Sequence, residues 1–413
     1  MPRNSPLTAV AGPPAPAPAE VASDLAAVGS WAPAGDLPQS GYFALPDASA
    51  VVLGEAYGHR VLIAGGEDAA RTAQKGAALF DPVEKKWEPT GSLSVARRLH
   101  STTKLADGRV LVVGGLTGPF TRPFAPLSSA EIYDPGTKTW KTTGGALHEA
   151  RFSHSAIALG DGRVLVTGGL APRDALTELS LSSAEIYDPV KDEWTQVSSM
   201  HDARSGHPTV ALDRGRVLVV GGMLSIGRGL YTALAFCEVY DPAAGPNGTW
   251  TPAGSLQVAR KAHQAVRLGD GSVLVTGGDS TGALHDWTYN AYSQWVTERF
   301  NPANGTWSEV EPMSVGRSHH RAVALRSGKV LVIGGTEDAT FDVGYQNAEI
   351  YDPSVGPRGT WTSTGGMVTG RWAGVAAELE DGRVLAAGGL IRSGAASPDS
   401  ADVITAASEL FTA

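Results

Sequence analysis

A short apolar run that ends in two glycines occurs seven times along the chain, at intervals of roughly 50 to 57 residues. In the second copy, residues 109–115 read RVLVVGG, which is typical of a fully buried strand. Asp107-Gly108 stands between this run and residues 100–105, and predicts a two-residue hairpin turn between two strands. The glycine pairs are Gly65-Gly66, Gly114-Gly115, Gly168-Gly169, Gly221-Gly222, Gly277-Gly278, Gly334-Gly335 and Gly388-Gly389.

Each copy continues with a variable loop, a third predicted strand and a tryptophan that opens a fourth. In the second copy the third strand covers residues 130–133 and is stopped by Asp134-Pro135. One such unit cannot bury its own apolar faces, so neighbouring copies must pack on one another. The tryptophans are Trp31, Trp87, Trp140, Trp194, Trp250, Trp307 and Trp361.

The two ends of the chain complete one unit. The last copy stops after its third strand at residues 408–411, and Trp31 precedes any complete copy. We therefore expect the segment around Trp31 to supply the missing fourth strand, which closes a ring and leaves no free sheet edge. The predicted domain covers residues 28–413, preceded by a flexible Pro/Ala-rich arm at residues 1–27.

The glycine pair, the Tyr/Phe-Asp-Pro turn and the spaced tryptophan together resemble the kelch repeat. The resemblance extends over residues 28–413 and implies an all-β, seven-bladed kelch β-propeller. Kelch proteins range from protein-interaction modules to metalloenzymes such as galactose oxidase, so the fold leaves the function open. The copper-binding Tyr-His pair of galactose oxidase is matched here by His319-His320, and Cys237 has no partner for a Tyr–Cys cross-link. Copper-radical chemistry is therefore not expected.

Two charged positions recur together in blades two to seven, an arginine before the first strand and a glutamate in the third. Blade one has Gly41 and Ala78 at the aligned places and lacks both. This joint occurrence predicts an Arg–Glu ion pair inside each blade, because buried charges persist only when paired. The arginines are Arg97, Arg151, Arg204, Arg260, Arg317 and Arg371; the glutamates are Glu131, Glu185, Glu238, Glu298, Glu349 and Glu409.

A histidine follows the arginine by three residues in five blades. Imidazole is the commonest metal ligand near neutral pH, so a collar of histidines around the axis could hold iron, copper or zinc. The same pattern equally fits ring nitrogens that bind neighbouring protein groups, and direct ligand contact is a third reading. The candidate metal ligands are His100, His154, His207, His263 and His320.

The loops after the glycine pairs vary most, and on a rigid scaffold such loops usually carry binding. The blade-five loop is the longest and most aromatic, and it predicts a ligand site together with residues of neighbouring blades. Packing of this loop on itself and a protein interface are the alternatives. The candidate ligand-binding residues are His285, Asp286, Trp287, Tyr289, Tyr292, Trp295, Tyr231 and Arg122.

Composition excludes several classes. A net charge of −9 without any basic cluster argues against nucleic-acid and anionic-membrane partners, and no apolar run is long enough to insert in a membrane. We expect a monomer, cytoplasmic by default, that binds a protein partner or a glycan-like or small-molecule ligand at its loop face and central funnel. The alternative is a metal-dependent oxidoreductase, isomerase or lyase with a histidine-lined axial site. No catalytic residue can be assigned.

Overall fold

The computed structural model describes residues 28–38, 50–119, 123–227, 230–280, 293–337, 343–393 and 402–413. Within these ranges the backbone forms seven four-stranded antiparallel sheets, each following the strand order along the chain except the last. The prediction of an all-β, seven-bladed propeller is confirmed. Residues 1–27, where a flexible arm is predicted, lie outside the described residues. No helix in the described part of the chain has the length and apolar character to cross a membrane.

The blades share one layout, with the first strand nearest the axis. The first strands are Val51–Val52, Ser101–Lys104, Ser155–Ala158, Thr209–Ala211, Gln264–Arg267, Arg321–Ala324 and Val375–Glu378. The second strands are Val61–Ala64, Val110–Val113, Val164–Thr167, Val217–Val220, Val273–Thr276, Val330–Ile333 and Val384–Ala387. The third strands are Ala77–Asp81, Ala130–Asp134, Ala184–Asp188, Phe236–Asp241, Glu298–Asn301, Ala348–Asp352 and Ala407–Thr412. The fourth strands are Lys86–Pro89, Thr139–Thr142, Glu193–Val197, Thr249–Ser255, Thr306–Glu309, Thr360–Ser363 and Ser30–Asp36.

The ring closes as the sequence predicts. Ser30–Asp36 pairs antiparallel with Ala407–Thr412, so that the first described strand is the fourth strand of blade 7. First strands of neighbouring blades contact one another around the whole ring, including Val51–Val52 of blade 1 with Val375–Glu378 of blade 7. Closure in this way leaves every blade with two neighbours.

The repeated tryptophan packs inside its own blade, and in five blades its indole N–H also bonds to the preceding one. In all seven blades its ring lies 5.0–5.2 Å, centre to centre, from an aromatic residue of the third strand, as in Tyr133–Trp140. The Trp140 indole N–H donates to the Gly91 carbonyl at 2.7 Å, and that of Trp307 to Ala253 at 3.0 Å. An apolar ring with one polar handle thus joins two blades.

Antiparallel order separates the propeller into two faces. The loop face carries the segments after the glycine pairs and the blade-to-blade connections; the turn face carries the short turns inside each blade. Four loop-face segments form extra two-stranded hairpins: Leu116–Thr117 with Ala125–Pro126, Leu170–Pro172 with Glu178–Ser180, Met223–Gly227 with Leu230–Ala233, and Leu390–Arg392 with Val403–Ile404. Single 3-10 turns occur at Glu55–Tyr57 and Asp213–Gly215.

The turn after the first strand differs from the two-residue turn that Asp107-Gly108 predicts. The Leu105 N–H donates to the Arg109 carbonyl and the Gly108 N–H to Leu105, which makes a three-residue loop. Within that loop only Gly108 has a positive φ, of 87°. This is a type I turn followed by a left-handed glycine, so Asp107 needs no left-handed backbone.

Candidate functional site

Six buried ion pairs fasten the connections of the loop face to their blades. In blades 2 to 7 the arginine Nη2 lies 2.5–2.9 Å from the glutamate Oε1, so the predicted pairing is confirmed. Glu131 also accepts hydrogen bonds from the hydroxyl and the N–H of Ser94 and from the Val95 N–H. Burial by itself raises the pKa of Glu131, but the two bonds from Ser94 and the contact with Arg97 hold that pKa below its ordinary value. The aligned Ala78 is buried in blade 1, and Gly41 lies outside the described residues.

The five histidines lie buried between blades. The Nε2 atom faces a hydroxyl of the preceding blade in three of them: His154 with Ser101 at 2.9 Å, His207 with Thr167 at 3.0 Å, and His320 with Thr276 at 2.8 Å. The ring nitrogens of His100 and His263 are buried and make no hydrogen bond within the described residues. Burial lowers the pKa of His100 and of His263 to about 3, so both imidazoles are neutral at physiological pH.

The glycine pairs make room for these histidines. A Cβ on Gly277 would lie 2.5 Å from Cε1 of His320, and a Cβ on Gly335 would lie 2.9 Å from its Cβ. Each imidazole therefore fits between the first glycine of the preceding blade and the second glycine of its own. In the part of the chain that the structure describes, which includes all five histidines, no three His, Cys, Asp or Glu side chains are grouped to hold a metal ion. The predicted iron, copper or zinc collar has no ligand cluster there.

Two of the predicted ligand-binding residues belong to the described part of the chain, and they lie in different places. Tyr231 donates its hydroxyl proton to the buried Glu178 carboxylate and packs with a cluster of blades 2 and 3 that includes Phe152. Trp295 lies in a different place, on the loop face between blades 5 and 6. The structure thus assigns these two aromatic residues to separate clusters. The others lie outside the described residues: His285, Asp286, Trp287, Tyr289, Tyr292 and Arg122.

Trp295 lines a cleft of about 480 Å³ together with Gln294, Val315, Glu337 and Tyr345. The indole is 59% exposed. The backbone carbonyl of Trp295 accepts a hydrogen bond from the Met313 N–H, and this bond recurs at the aligned position of every blade. The residues that accept this bond in the other six blades are small or hydrophilic: Lys75, Ser128, Ser182, Ala235, Gln346 and Ala406. Blade 5 alone places a large aromatic side chain at this position.

A buried charge pair lies at the base of the blade-five loop. Asp279 is 1% exposed; its carboxylate lies 3.4 Å from Lys261 Nζ and accepts a hydrogen bond from Ser293 Oγ at 3.3 Å. Asp279 and Ser293 stand on either side of the blade-five loop, so the hydrogen bond between them ties its two ends together. Sequence reasoning missed the pair. The available signal was the aligned position of Asp279, which in blades 2, 3, 4 and 7 is Leu116, Leu170, Met223 and Leu390.

His319 lies near the same charges. Burial lowers its pKa to about 4, while Asp279 raises that pKa and Lys261 lowers it. The imidazole packs edge-on against Trp372 of blade 7, with ring centres 5.5 Å apart, and its Nδ1 lies 3.2 Å from Ser318 Oγ. This edge of the loop face is thus polar at blades 5 and 6 and becomes apolar toward blade 7.

Comparison with known proteins gives a consistent relationship. A family model described as the Kelch motif matches residues 97–143 and 151–201, which are blades 2 and 3. Galactose oxidase of Gibberella zeae is 25% identical over 328 residues, covering 75% of this chain and 45% of that protein. Human Kelch-like protein 34 is 28% identical over 263 residues, covering 62% of this chain and 37% of that protein. The chain thus spans less than half the length of these relatives.

Two solved structures share the fold. A fungal alcohol oxidase of the AA5 family, in complex with copper, superposes with a TM-score of 0.67 at 18% identity, covering 93% of this chain and 76% of that chain. The structure of YjhT superposes with a TM-score of 0.59 at 16% identity, covering 79% of this chain and 99% of that chain. At these identities the likeness concerns architecture alone.

Proposed function

We propose that this chain, a kelch-repeat β-propeller related to the galactose-oxidase-like propellers, is a recognition module that binds a protein partner on its loop face. The cleft between blades 5 and 6 is the centre of the proposed interface, and Trp295 is its anchor. The observation that carries the proposal is the 59% exposed indole at a position where six other blades have small or hydrophilic residues. Neither blade packing nor ring closure requires a tryptophan there.

The surroundings of Trp295 suit such an interface. Two further apolar residues of the loop face are exposed outside the cleft, Val343 of blade 6 at 45% and Val368 of the connection between blades 6 and 7 at 59%. Glu337 and Gln294 line the cleft and add polar groups beside Trp295. An apolar centre with a polar rim is the usual anatomy of a protein interface, and tryptophan is over-represented among the residues that dominate binding energy.

The proposal is tested by affinity capture with the intact chain, followed by titration of the purified partner against single variants. Trp295→Ala should weaken binding by roughly thirtyfold or more, the factor that corresponds to a 2 kcal/mol anchor. Because its indole is exposed, the melting temperature should change little. The matched control is Phe236→Ala, which removes another exposed aromatic ring, 55% accessible, outside the cleft.

Two results would contradict the proposal. Equal affinity of the wild type and Trp295→Ala would remove the cleft from the interface. Suppose instead that a small carbohydrate displaces the protein partner and that Trp295→Ala no longer binds this carbohydrate. The ligand of the cleft would then be a glycan and not a protein.

A further inference from the structure

The turn face carries a second concave site, a cleft of about 930 Å³ between blades 4 and 5. It is on the face opposite Trp295, so it is independent of the proposed interface. Its volume falls in the range of small-molecule sites, roughly 300 to 1,000 Å³. The lining includes Asp213, Arg214, Arg216, Asp270, Arg299 and Asn301.

The acidic groups in this cleft are already neutralised by arginines. The Asp213 carboxylate pairs with Arg267, and that of Asp270 pairs with Arg299. Glu309 lies 3.1 Å from Arg358, so the third carboxylate of the lining is paired as well. What remains of the charge in the cleft is that of Arg214 and Arg216.

Comparison of the blades shows that Arg216 is the exception. A basic residue stands directly before the second strand in six of the seven blades, and five of these lie 2.6–3.0 Å from a carboxylate: Arg60, Arg109, Arg163, Lys329 and Arg383. The Nε of Arg216 donates instead to the backbone carbonyl of Asp213 at 3.4 Å. No Asp or Glu of the described residues lies within 4.0 Å of the Arg216 guanidinium.

The cause is the sequence of the blade-four turn, not its length: the Leu212 N–H donates to the Arg216 carbonyl as the Leu105 N–H does to Arg109. Arg109 and Arg163 each fold back on the aspartate two positions earlier, Asp107 and Asp161. In blade 4 the corresponding turn reads Asp213-Arg214-Gly215-Arg216, with Arg214 left-handed at φ 62°. Arg214 thus stands at the position of Asp107 and Asp161, and the Asp213 carboxylate, one position earlier, is bound by Arg267 of blade 5. Among the described residues no carboxylate lies within 4.0 Å of the guanidinium of Arg214 or Arg216, in a chain of net charge −9.

We infer that this cleft binds a small molecule that carries a phosphate group. The planar guanidinium fork matches the geometry of phosphate oxygens, and two such groups suit a dianion better than a monoanion. The paired carboxylates of Asp213 and Asp270 retain oxygen atoms that can accept hydrogen bonds from hydroxyl groups of the same ligand. A phosphorylated, hydroxyl-bearing compound is therefore the class that fits.

The inference is tested with inorganic phosphate as the probe and the intact chain, by calorimetric titration and thermal shift at constant ionic strength. Phosphate should bind saturably and raise the melting temperature, while chloride and acetate at matched ionic strength should not. Arg216→Ala and Arg214→Ala should each weaken phosphate binding by about tenfold or more, since each removes a charge-assisted pair. Arg216→Lys should fall between, because it keeps the charge and loses the fork.

The matched control is Arg163→Ala, which removes the aligned arginine of blade 3, where Asp161 already pairs with it. This variant should bind phosphate as the wild type does. Absence of a saturable phosphate effect beyond that of chloride would overturn the inference, as would an equal loss in Arg163→Ala and Arg216→Ala. Trp295→Ala should leave phosphate binding unchanged, so failure here is distinguishable from failure of the proposed interface.

Discussion

His320 of blade 6 and Thr276 of blade 5 meet across the blade boundary, with 2.8 Å between Nε2 and Oγ1. Burial holds the pKa of His320 well below its ordinary value, so the imidazole that lies against the glycine pair is neutral. His154 and His207 make the equivalent contact. This histidine connects two neighbouring sheets by a hydrogen bond and does not titrate as a surface group would.

Stability should therefore fall as the solution becomes acidic. The pKa of His263 is about 3 in the folded chain, against 6.5 for an ordinary histidine, because of burial. Between pH 6.5 and 3 the unfolded chain binds a proton that the folded chain does not, so the free energy of unfolding decreases as pH falls through this window. Each such histidine contributes a slope of up to about 1.4 kcal/mol per pH unit. Urea unfolding at pH 7.5, 6 and 5 measures this dependence of the free energy of unfolding on pH.

The control for this prediction is a variant that destabilises without titrating. His263→Asn should be less stable at pH 7.5 and should show a shallower decrease toward pH 5. Val219→Ala, which truncates a fully buried side chain of blade 4, should lower the free energy of unfolding by the same amount at every pH. If the free energy of unfolding of His263→Asn and of the wild type decreases equally between pH 7.5 and pH 5, His263 is not a source of the pH dependence.

The glycine pairs should tolerate no side chain. Gly277→Ala places a Cβ 2.3 Å from the Arg317 carbonyl and close to His320, at a φ of 59°, so it should destabilise by several kcal/mol or prevent folding. Gly328→Ala is the matched control: its φ is 84°, but no atom lies within 4 Å of the added Cβ. That variant should lose only about 1 to 2 kcal/mol, the cost of a left-handed alanine. Denaturant midpoints of the two proteins decide the comparison.

The buried ion pairs should be costly to break singly. Arg260→Ala leaves the Glu298 carboxylate buried without its cation and should cost about 3 to 5 kcal/mol of unfolding free energy. Arg260→Met combined with Glu298→Leu should lose less than the sum of the single changes, since no charge is left unpaired. Glu88→Gln serves as the surface control, because its pair with Arg60 is exposed and should contribute below about 1 kcal/mol.

Metal removal addresses the histidines directly. Because the Nε2 atoms of His154, His207 and His320 contact hydroxyls of the preceding blade, and the five histidines form no ligand group in the described residues, treatment with a chelator should leave the melting temperature unchanged. Elemental analysis of protein purified without a His tag is the measurement. Near-stoichiometric iron, copper or zinc that disappears in His207→Ala would reverse this expectation.

Much of the architecture follows from local sequence. The run at Val110–Val113 and the tryptophan at position 140 each predict a strand, and the unmatched Trp31 predicts how the ring closes. The Arg–Glu pairs could also be predicted, because both partners recur in the same six copies. These features repeat, and repetition converts weak local signals into reliable ones.

The site was less predictable because its contacts cross blades. The partners of His154 and His207 are hydroxyls some 40 to 53 residues earlier in the chain. Sequence spacing alone therefore could not distinguish a histidine that bonds to the neighbouring blade from one that binds a metal. Asp279 and Lys261 become neighbours only through an isolated backbone bridge. Trp295 was detectable, since alignment of the seven copies shows it as the aromatic exception at its position. The signal for Arg216 was also in the sequence, since Arg214 stands where blade 3 has Asp161, but the contacts of its guanidinium required coordinates.

Blade 7 differs from the other six in being assembled from two distant parts of the chain. Its Ser408 hydroxyl donates to the Ala34 carbonyl, 374 residues away in sequence. No covalent bond therefore closes the ring of blades. Within blade 7 the two segments are joined by the backbone hydrogen bonds between the strands Ser30–Asp36 and Ala407–Thr412 and by the Trp31–Phe411 contact. The ring can close only once residues 407–412 are present, and we expect its opening under heat, force or protease to begin where this noncovalent strand pairing joins the two distant segments.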